Sequence, residues 1–199
     1  MKKEIEKFVR AQLNLLAQDD NALNQSSSKM RLAQLRRGIG KKPGEIPDLW
    51  GEFLNNLPEE LMGRNGIPSY AEWAIYTTLT LFALHQQGKS ETMNFEGEEN
   101  HLGRAVKKLV QNEEDEENIR IKFSIVAESD DMTELSYRLK TIVRLLGNSD
   151  IRLDYVDLAK DLYLFQFERY VDEIRLKWGQ DFYRNFKIND SGKEDDNEK

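Results

Sequence analysis

Between Tyr70 and Gln87 the apolar side chains Trp73, Ile75, Tyr76, Leu79, Leu81, Phe82 and Leu84 fall on every side of a helix instead of along one stripe. A helix with no polar face cannot lie on a surface, so other elements must enclose it. Its start is also written in the chain. Ser69 and Glu72 have the spacing of a capping box, in which the serine accepts the amide of the third helical residue and the glutamate reaches back to the cap. The segment therefore predicts a central helix around which the remainder packs.

The remainder has helical period as well. Ile5, Phe8, Val9, Gln12, Leu13 and Leu16 predict a helix over residues 4–18, followed by a polar loop from Asp19 to Ser28. A second helix is expected from Lys29 to Arg37, stopping at Gly38. A basic connector from Gly40 to Pro47 leads to a third helix, Asp48 to Leu57, closed by Pro58. After the central helix comes a polar loop, Gly88 to Asn100. From His101 to Gln111, Leu102, Ala105, Val106, Leu109 and Val110 share one side of a wheel, and Arg104, Lys107 and Lys108 the other.

Glu113 to Glu117 reads as an acidic linker. The alternation of Ile119, Ile121, Phe123 and Ile125 fits a strand, but no second strand is offered to satisfy its backbone, so it is read as helix. Asp131 and Glu134 form a second capping box, before a helix that closes at Gly147 in the C′ position. Asp154 opens another, on which Asp154, Asp157 and Asp161 take cap, first-turn and surface roles. The last runs from Glu168 to about Phe186. The expected fold is all-α, two packed helical bundles forming an elongated body: residues 1–112, residues 113–187, and a disordered acidic tail over 188–199.

Several function classes find no support. Cysteine is absent, which removes disulfides and thiolate chemistry. No apolar run approaches the ~20 residues of a membrane span, and the first residues lack a secretory apolar stretch. A soluble, cytoplasmic protein without a membrane partner is expected. There is no P-loop, no G-x-S-x-G and no nucleophile–base pairing, so neither an enzyme nor a cofactor is expected. His85 and His101 are far apart and lack metal-site spacing; His85 suits the end of its helix. Glu113, Glu114, Glu117, Glu128 and Asp131 resemble the carboxylate pattern with which all-helical nucleotide pyrophosphohydrolases hold Mg²⁺. Five consecutive acids are more often a solvated loop, so no metal is assigned and that enzyme stands as an alternative.

Formal net charge is −7, yet its distribution is uneven. Lys29, Arg31, Arg36, Arg37, Lys41 and Lys42 fall in a segment without an acid, whereas Asp190 to Lys199 holds five acids and two lysines. Arg104, Lys107 and Lys108 form a second basic stripe, Arg120 and Lys122 begin a third, and Arg138, Lys140 and Arg144 lie along a fourth. Arginine grips phosphate oxygens with a planar fork without reading a base.

The same residues carry a family resemblance. Arg31-Leu32-Ala33-Gln34-Leu35-Arg36-Arg37-Gly38, with Pro43-Gly44, resembles the A-x-L-R-R-A…P segment of CasB, the small subunit of the type I-E CRISPR surveillance complex Cascade. In the same order come the central Thr78 to His85 segment, Leu102-Gly103-Arg104-Ala105, Arg120-Ile121-Lys122-Phe123 with Leu135 to Leu146, and a closing stretch from Asp154 to Leu162 and Ile174 to Tyr183. The likeness spans about residues 5–186.

It implies an all-helical, non-catalytic strut that assembles, commonly as a pair, with other Cascade subunits and steadies the backbones of guide RNA and target DNA. Carried over by position, Arg36, Arg37, Arg104, Arg120 and Arg138 are expected phosphate contacts, followed by Lys107, Lys108, Lys122 and Arg144. The acidic linker, the acidic tail and lysine at 122 in place of a second arginine depart from the family pattern. A protein-binding helical adaptor is a further alternative.

Overall fold

The computed structural model describes residues 1–17 and 22–184. The α-helices among them are α1 (Lys2–Ala17), α2 (Ala22–Arg36), α3 (Trp50–Phe53), α4 (Tyr70–His85), α5 (Leu102–Lys107), α6 (Glu113–Ala127), α7 (Met132–Asn148), α8 (Tyr155–Phe165) and α9 (Glu168–Tyr183), with short 3-10 turns at Pro47–Leu49, Glu59–Leu61 and Glu98–Asn100. Among the described residues β-pairing is limited to two isolated bridges, Arg64 with Ile67 and Asn94 with Leu153. The fold is all-α.

The segment without a polar face is the centre of the molecule. Ser69 Oγ accepts the Glu72 amide at 3.0 Å and Glu72 Oε2 accepts the Ser69 amide at 2.7 Å, so the capping box forms in full. From there α4 is buried along almost its whole length and packs against α1, α2, α3, α7 and α8. Helices α5 and α8 in turn pack on α9, and α6 on α7. The buried apolar side chains form one continuous cluster drawn from both sides of residue 112.

Several boundaries differ from the sequence reading. α2 begins at Ala22, within the expected loop; residues 18–21 lie outside the described residues. Once Leu32 and Leu35 are buried, each further helical residue adds a hydrogen bond without a new nucleation cost, so a polar stretch can join the helix. The acidic run is not a linker but the first turns of α6. Asn112 caps it by accepting the Asp115 amide at 2.9 Å, and acids at a helix N-terminus are favoured by its partial positive charge. Gly147 does not end α7, which continues to Asn148; Asp150, at φ 53°, takes the left-handed turn. At the second cap Asp131 accepts the Glu134 amide, while Glu134 takes the amide of Asp130 instead of the cap's own. The Asp154 cap forms as expected, accepting the Asp157 amide at 2.8 Å. The last helix ends at Tyr183; Phe186 and the acidic tail lie outside the described residues.

α5 meets α9 at Gly103. A Cβ built there would run into the Trp178 carbonyl oxygen and come within 2.9 Å of the Phe182 nitrogen, both backbone atoms that cannot step aside. Gly179, on α9, has nothing within 4 Å of its hypothetical Cβ. Gly103→Ala is therefore expected to destabilise by about 1–3 kcal/mol through overpacking. Gly179→Ala should stabilise by about 0.5–1 kcal/mol through helix propensity. Opposite shifts of the urea midpoint in the two variants are the check.

His85 ends α4 in the interior, 2% exposed, with Nδ1 3.0 Å from Tyr155 Oη. Burial, aided by Lys89, lowers its pKa from 6.5 to about 4. A group depressed in the folded state contributes full stability above its unfolded value and loses it as pH falls through its folded value. From pH 6.5 down to 4 the protein should lose about 3 kcal/mol through this residue. Urea midpoints across that range should fall more steeply for the unaltered chain than for His85→Gln.

Candidate nucleic-acid interface

The basic segment is fixed by its glycines. At Gly38 the backbone passes so close to α4 that an added Cβ would crowd the Tyr76 hydroxyl and Leu49, and Tyr76 Oη donates to the Gly38 carbonyl at 3.1 Å. Two residues on, Gly40 turns at φ +74° with Tyr137 of α7 alongside, 3.6 Å from its hypothetical Cβ. The segment thus leaves α2, crosses the outside of α4 and reaches α7. There Tyr137 is 65% exposed, Lys140 Nζ sits 5.6 Å from its ring centroid, and Arg144 follows one turn later, exposed. Arg37, Lys41 and Lys42 on the segment and Lys140 and Arg144 on α7 make one basic surface with an aromatic ring in its middle. Its carboxylates are engaged: Glu45 on Lys41 at 2.6 Å and Asp48 on Arg37 at 3.2 Å. Both pairs are exposed and so are worth little.

The nine residues singled out from the sequence do not come together on that surface. Arg36 is half-buried and donates from Nη1 to the Ala83 carbonyl, in the last turn of α4, at 3.2 Å. Arg138 donates from Nη1 to the Ile125 carbonyl in the last turn of α6 and from Nη2 to Glu134 at 2.6 Å. Arg120 forks onto both oxygens of Glu117 at 2.8 and 2.6 Å, a pairing that raises its own pKa and lowers that of the glutamate.

Arg104 does not join a solvent-facing stripe. It is buried, with Nη1 3.0 Å from Glu99 and Nε 3.7 Å from Asp181. α5 is one of the shortest helices, and α9 and the Glu98–Asn100 turn cover the face that the wheel assigns to water. Lys107 pairs with Glu116 at 2.6 Å over the Phe182 ring. Lys108 donates to Asn100 at 3.2 Å, and burial lowers its pKa, against the pull of Glu99. Lys122 and Arg144 are exposed with no ion-pair partner among the described residues. Of the nine, then, Arg37 and Arg144 lie on the basic surface. Lys41, Lys42, Lys140 and Tyr137 belong there too, signalled by the acid-free segment and the i, i+3, i+7 spacing on α7.

Sequence reasoning also missed a buried ionic cluster. Asp157 and Asp161 are not surface residues. Lys177 Nζ reaches Asp157 at 2.7 Å and both oxygens of Asp161 at 2.7 and 2.9 Å, while Trp178 Nε1 donates to Asp161 at 2.7 Å. Burial, followed by the neighbouring Asp157 charge, pushes Asp161 up to about 6. Burial also opposes ionisation of Asp157, but Lys177 outweighs it and the pKa is lowered. His101 lies 3.6 Å from Asp157 and 3.7 Å from Asp181. These contacts tie α8 to α9 and to the start of α5, and they serve the fold.

The carboxylates considered for Mg²⁺ do not converge among the described residues, where no group of three or more His, Cys, Asp or Glu could hold a metal. The side chains of Glu113 and Glu114 lie outside the described residues. Glu117 is held by Arg120 and Asp131 by its own helix, and Glu128 is about 16 Å further along α6 than Glu117. No described helix is long and apolar enough to cross a membrane.

A model of the family described as CRISPR-associated protein Cse2 matches residues 31–183. The crystal structure of CasB from Thermobifida fusca is 30% identical, with 91% of this chain and 98% of that one covered and a TM-score of 0.74. CasB from M. ruber, 23% identical over 88% of this chain and 92% of that one, has the same fold at a TM-score of 0.64. A comparison with curated proteins finds no match. The chain belongs to the Cse2 (CasB) family of CRISPR-associated proteins, the Cascade-subunit family that its motifs resemble.

Proposed function

We propose that this chain is a non-catalytic small subunit of a type I-E Cascade complex in the cytoplasm. It holds nucleic-acid backbone and so stabilises the guide RNA–target DNA R-loop, alongside other subunits and a second copy of itself. The observation that carries this reading is the folding of the acid-free segment against α7. That packing gathers exposed Arg37, Lys41, Lys42 and Arg144 and half-buried Lys140 on one surface.

Cations on an exposed surface suit sequence-independent contact with phosphates, and guide pairing supplies the specificity. The weak exposed pairs on Arg37 and Lys41 exchange readily for phosphate. Tyr137 adds a ring on which a sugar or base can rest. Lys122, Arg120 and Lys108 extend the candidate set to the α5–α6 side. Arg36 and Arg138 support the surface from beneath, because their guanidinium groups are committed to carbonyls and a carboxylate; Arg104 is committed between α5 and α9.

Two classes of variant separate these roles. Lys140→Ala combined with Arg144→Ala should leave the melting temperature unchanged and weaken the R-loop in the assembled complex. The log–log salt dependence should flatten by about 0.9 for each duplex phosphate that the variant no longer neutralises. Arg104→Ala should instead lower stability by about 3 kcal/mol, because it strands buried Asp181. R-loop lifetimes against salt and thermal melts of the isolated chain are the measurements. An unchanged R-loop in the double variant would falsify the assignment.

A further inference from the structure

At the opposite end of α4 from His85, a groove of about 710 Å³ opens between the Arg64–Tyr70 segment and the starts of α7 and α9. Ile67, Tyr70 and Trp73 form one wall, and Met132, Phe165 and Val171 the other. Ile67 is 72% exposed and Tyr70 50%. These exposed side chains are held in place. Asn65 and Gly66 take the positive φ values of a tight turn, closed by the Ile67 amide on the Arg64 carbonyl at 3.0 Å. Tyr70 stands edge-on to Phe167 at 4.9 Å, and Gln166 Nε2 donates to the Tyr70 carbonyl at 2.8 Å. An apolar cleft with fixed walls binds without the cost of ordering them.

The rim charges identify the kind of occupant. Arg175 is spent on the carbonyls of Ala127 and Ser129 at 2.7 and 3.3 Å, and Asp131 accepts the Glu134 amide. Asp130, Glu168 and Lys42 have no side-chain partner among the described residues. Asp131 and Arg175 keep their charges, since those bonds go to neutral backbone groups, so the rim holds three carboxylates against two cations. The surplus carboxylates repel a phosphate chain, and they also repel the chain's own acidic segment from Asp190 to Lys199. They favour a cation beside an apolar group.

We propose that this groove is the docking site for a segment of another protein subunit, which inserts a large apolar side chain between Ile67 and Met132 and sets an adjacent Lys or Arg against Asp130 and Glu168. The proposal rests on the reading of this chain as a subunit of a larger complex, and it assigns protein docking and nucleic-acid contact to adjoining surfaces that meet at Lys42.

The test uses the complex reconstituted from all its subunits and guide RNA, with the photo-crosslinker p-benzoylphenylalanine in place of Ile67. The expected result is a crosslink to a different protein subunit, at a segment carrying an apolar residue next to Lys or Arg. Crosslinking to RNA or DNA, to a second copy of this chain or to an acidic segment overturns the proposal, as does no crosslink at all. In parallel, Ile67→Asp and Asp130→Lys should each reduce incorporation at least about tenfold, with melting of the isolated chain unchanged. Normal incorporation of both overturns the proposal. Lys140→Ala with Arg144→Ala should incorporate normally. If that variant also leaves the R-loop intact while Ile67→Asp blocks incorporation, the nucleic-acid reading falls and the docking site stands.

Discussion

α4 has no solvent side, and the rest of the molecule is arranged to meet that condition. Along its length even the threonines are buried: Thr77, Thr78 and Thr80 are each at most 1% exposed, and Thr80 returns its hydroxyl to the Thr77 carbonyl at 2.9 Å. Five helices therefore close around it. Because α7 is one of them, and the end of α2 is pinned across α4 by Tyr76, two segments about 100 residues apart in sequence reach the surface side by side. The basic surface follows from enclosing one apolar helix.

Helix ends explain why many of the arginines are not where a sequence reading puts them. The last turn of every helix leaves carbonyls without amide partners and carries a partial negative charge. Arg36 supplies a donor to Ala83 at the end of α4, Arg138 to Ile125 at the end of α6, and Arg175 to Ala127 and Ser129 just beyond it. Each guanidinium bridges its own helix to the terminus of another. In a bundle of short helices such termini are numerous, so an arginine-rich sequence is partly a record of interior capping. Lysines, with one compact charged group, stay at the surface more often, as Lys41, Lys42, Lys122 and Lys140 do.

This sorting marks how far the chain could be read unaided. Local chemistry was legible where a residue acts on its own neighbours: the caps at Ser69, Asp131 and Asp154 all form. For Ile119 to Ile125, where alternation imitated a strand, helix followed from the lack of a second strand to satisfy its backbone. What was not legible depends on which element lies on top. Arg104 falls with Lys107 and Lys108 on a wheel, but a wheel carries no information about α9 or the Glu98–Asn100 turn, which cover it. Asp157 and Asp161 looked like first-turn and surface acids because their cations, Lys177 above all, come from α9. The acidic run resembled a linker since it lacks apolar register, yet a helix start needs a cap and favourable charge more than register. The acid-free segment was visible, but its partner surface on α7 required the fold.

The buried cluster and the net charge bear on function together. Lys160 also reaches Asp157, at 3.1 Å, but Asp161 has Lys177 as its ion-pair partner, so removing Lys177 would leave that carboxylate with the Trp178 indole alone and loosen the α8–α9 elbow. That elbow forms one wall of the groove that ends in Asp130 and Glu168, with the basic surface beginning at Lys42 on its rim. A chain of net charge −7 attracts phosphate weakly at long range, since its field sums over the whole surface. Docking through an adjoining apolar groove overcomes this: once the subunit is fixed beside the nucleic acid, a handful of cations act at high effective concentration instead of competing in free solution. In the proposed arrangement modest phosphate affinity is an advantage, because binding then depends on the assembled complex and loose nucleic acid is largely ignored.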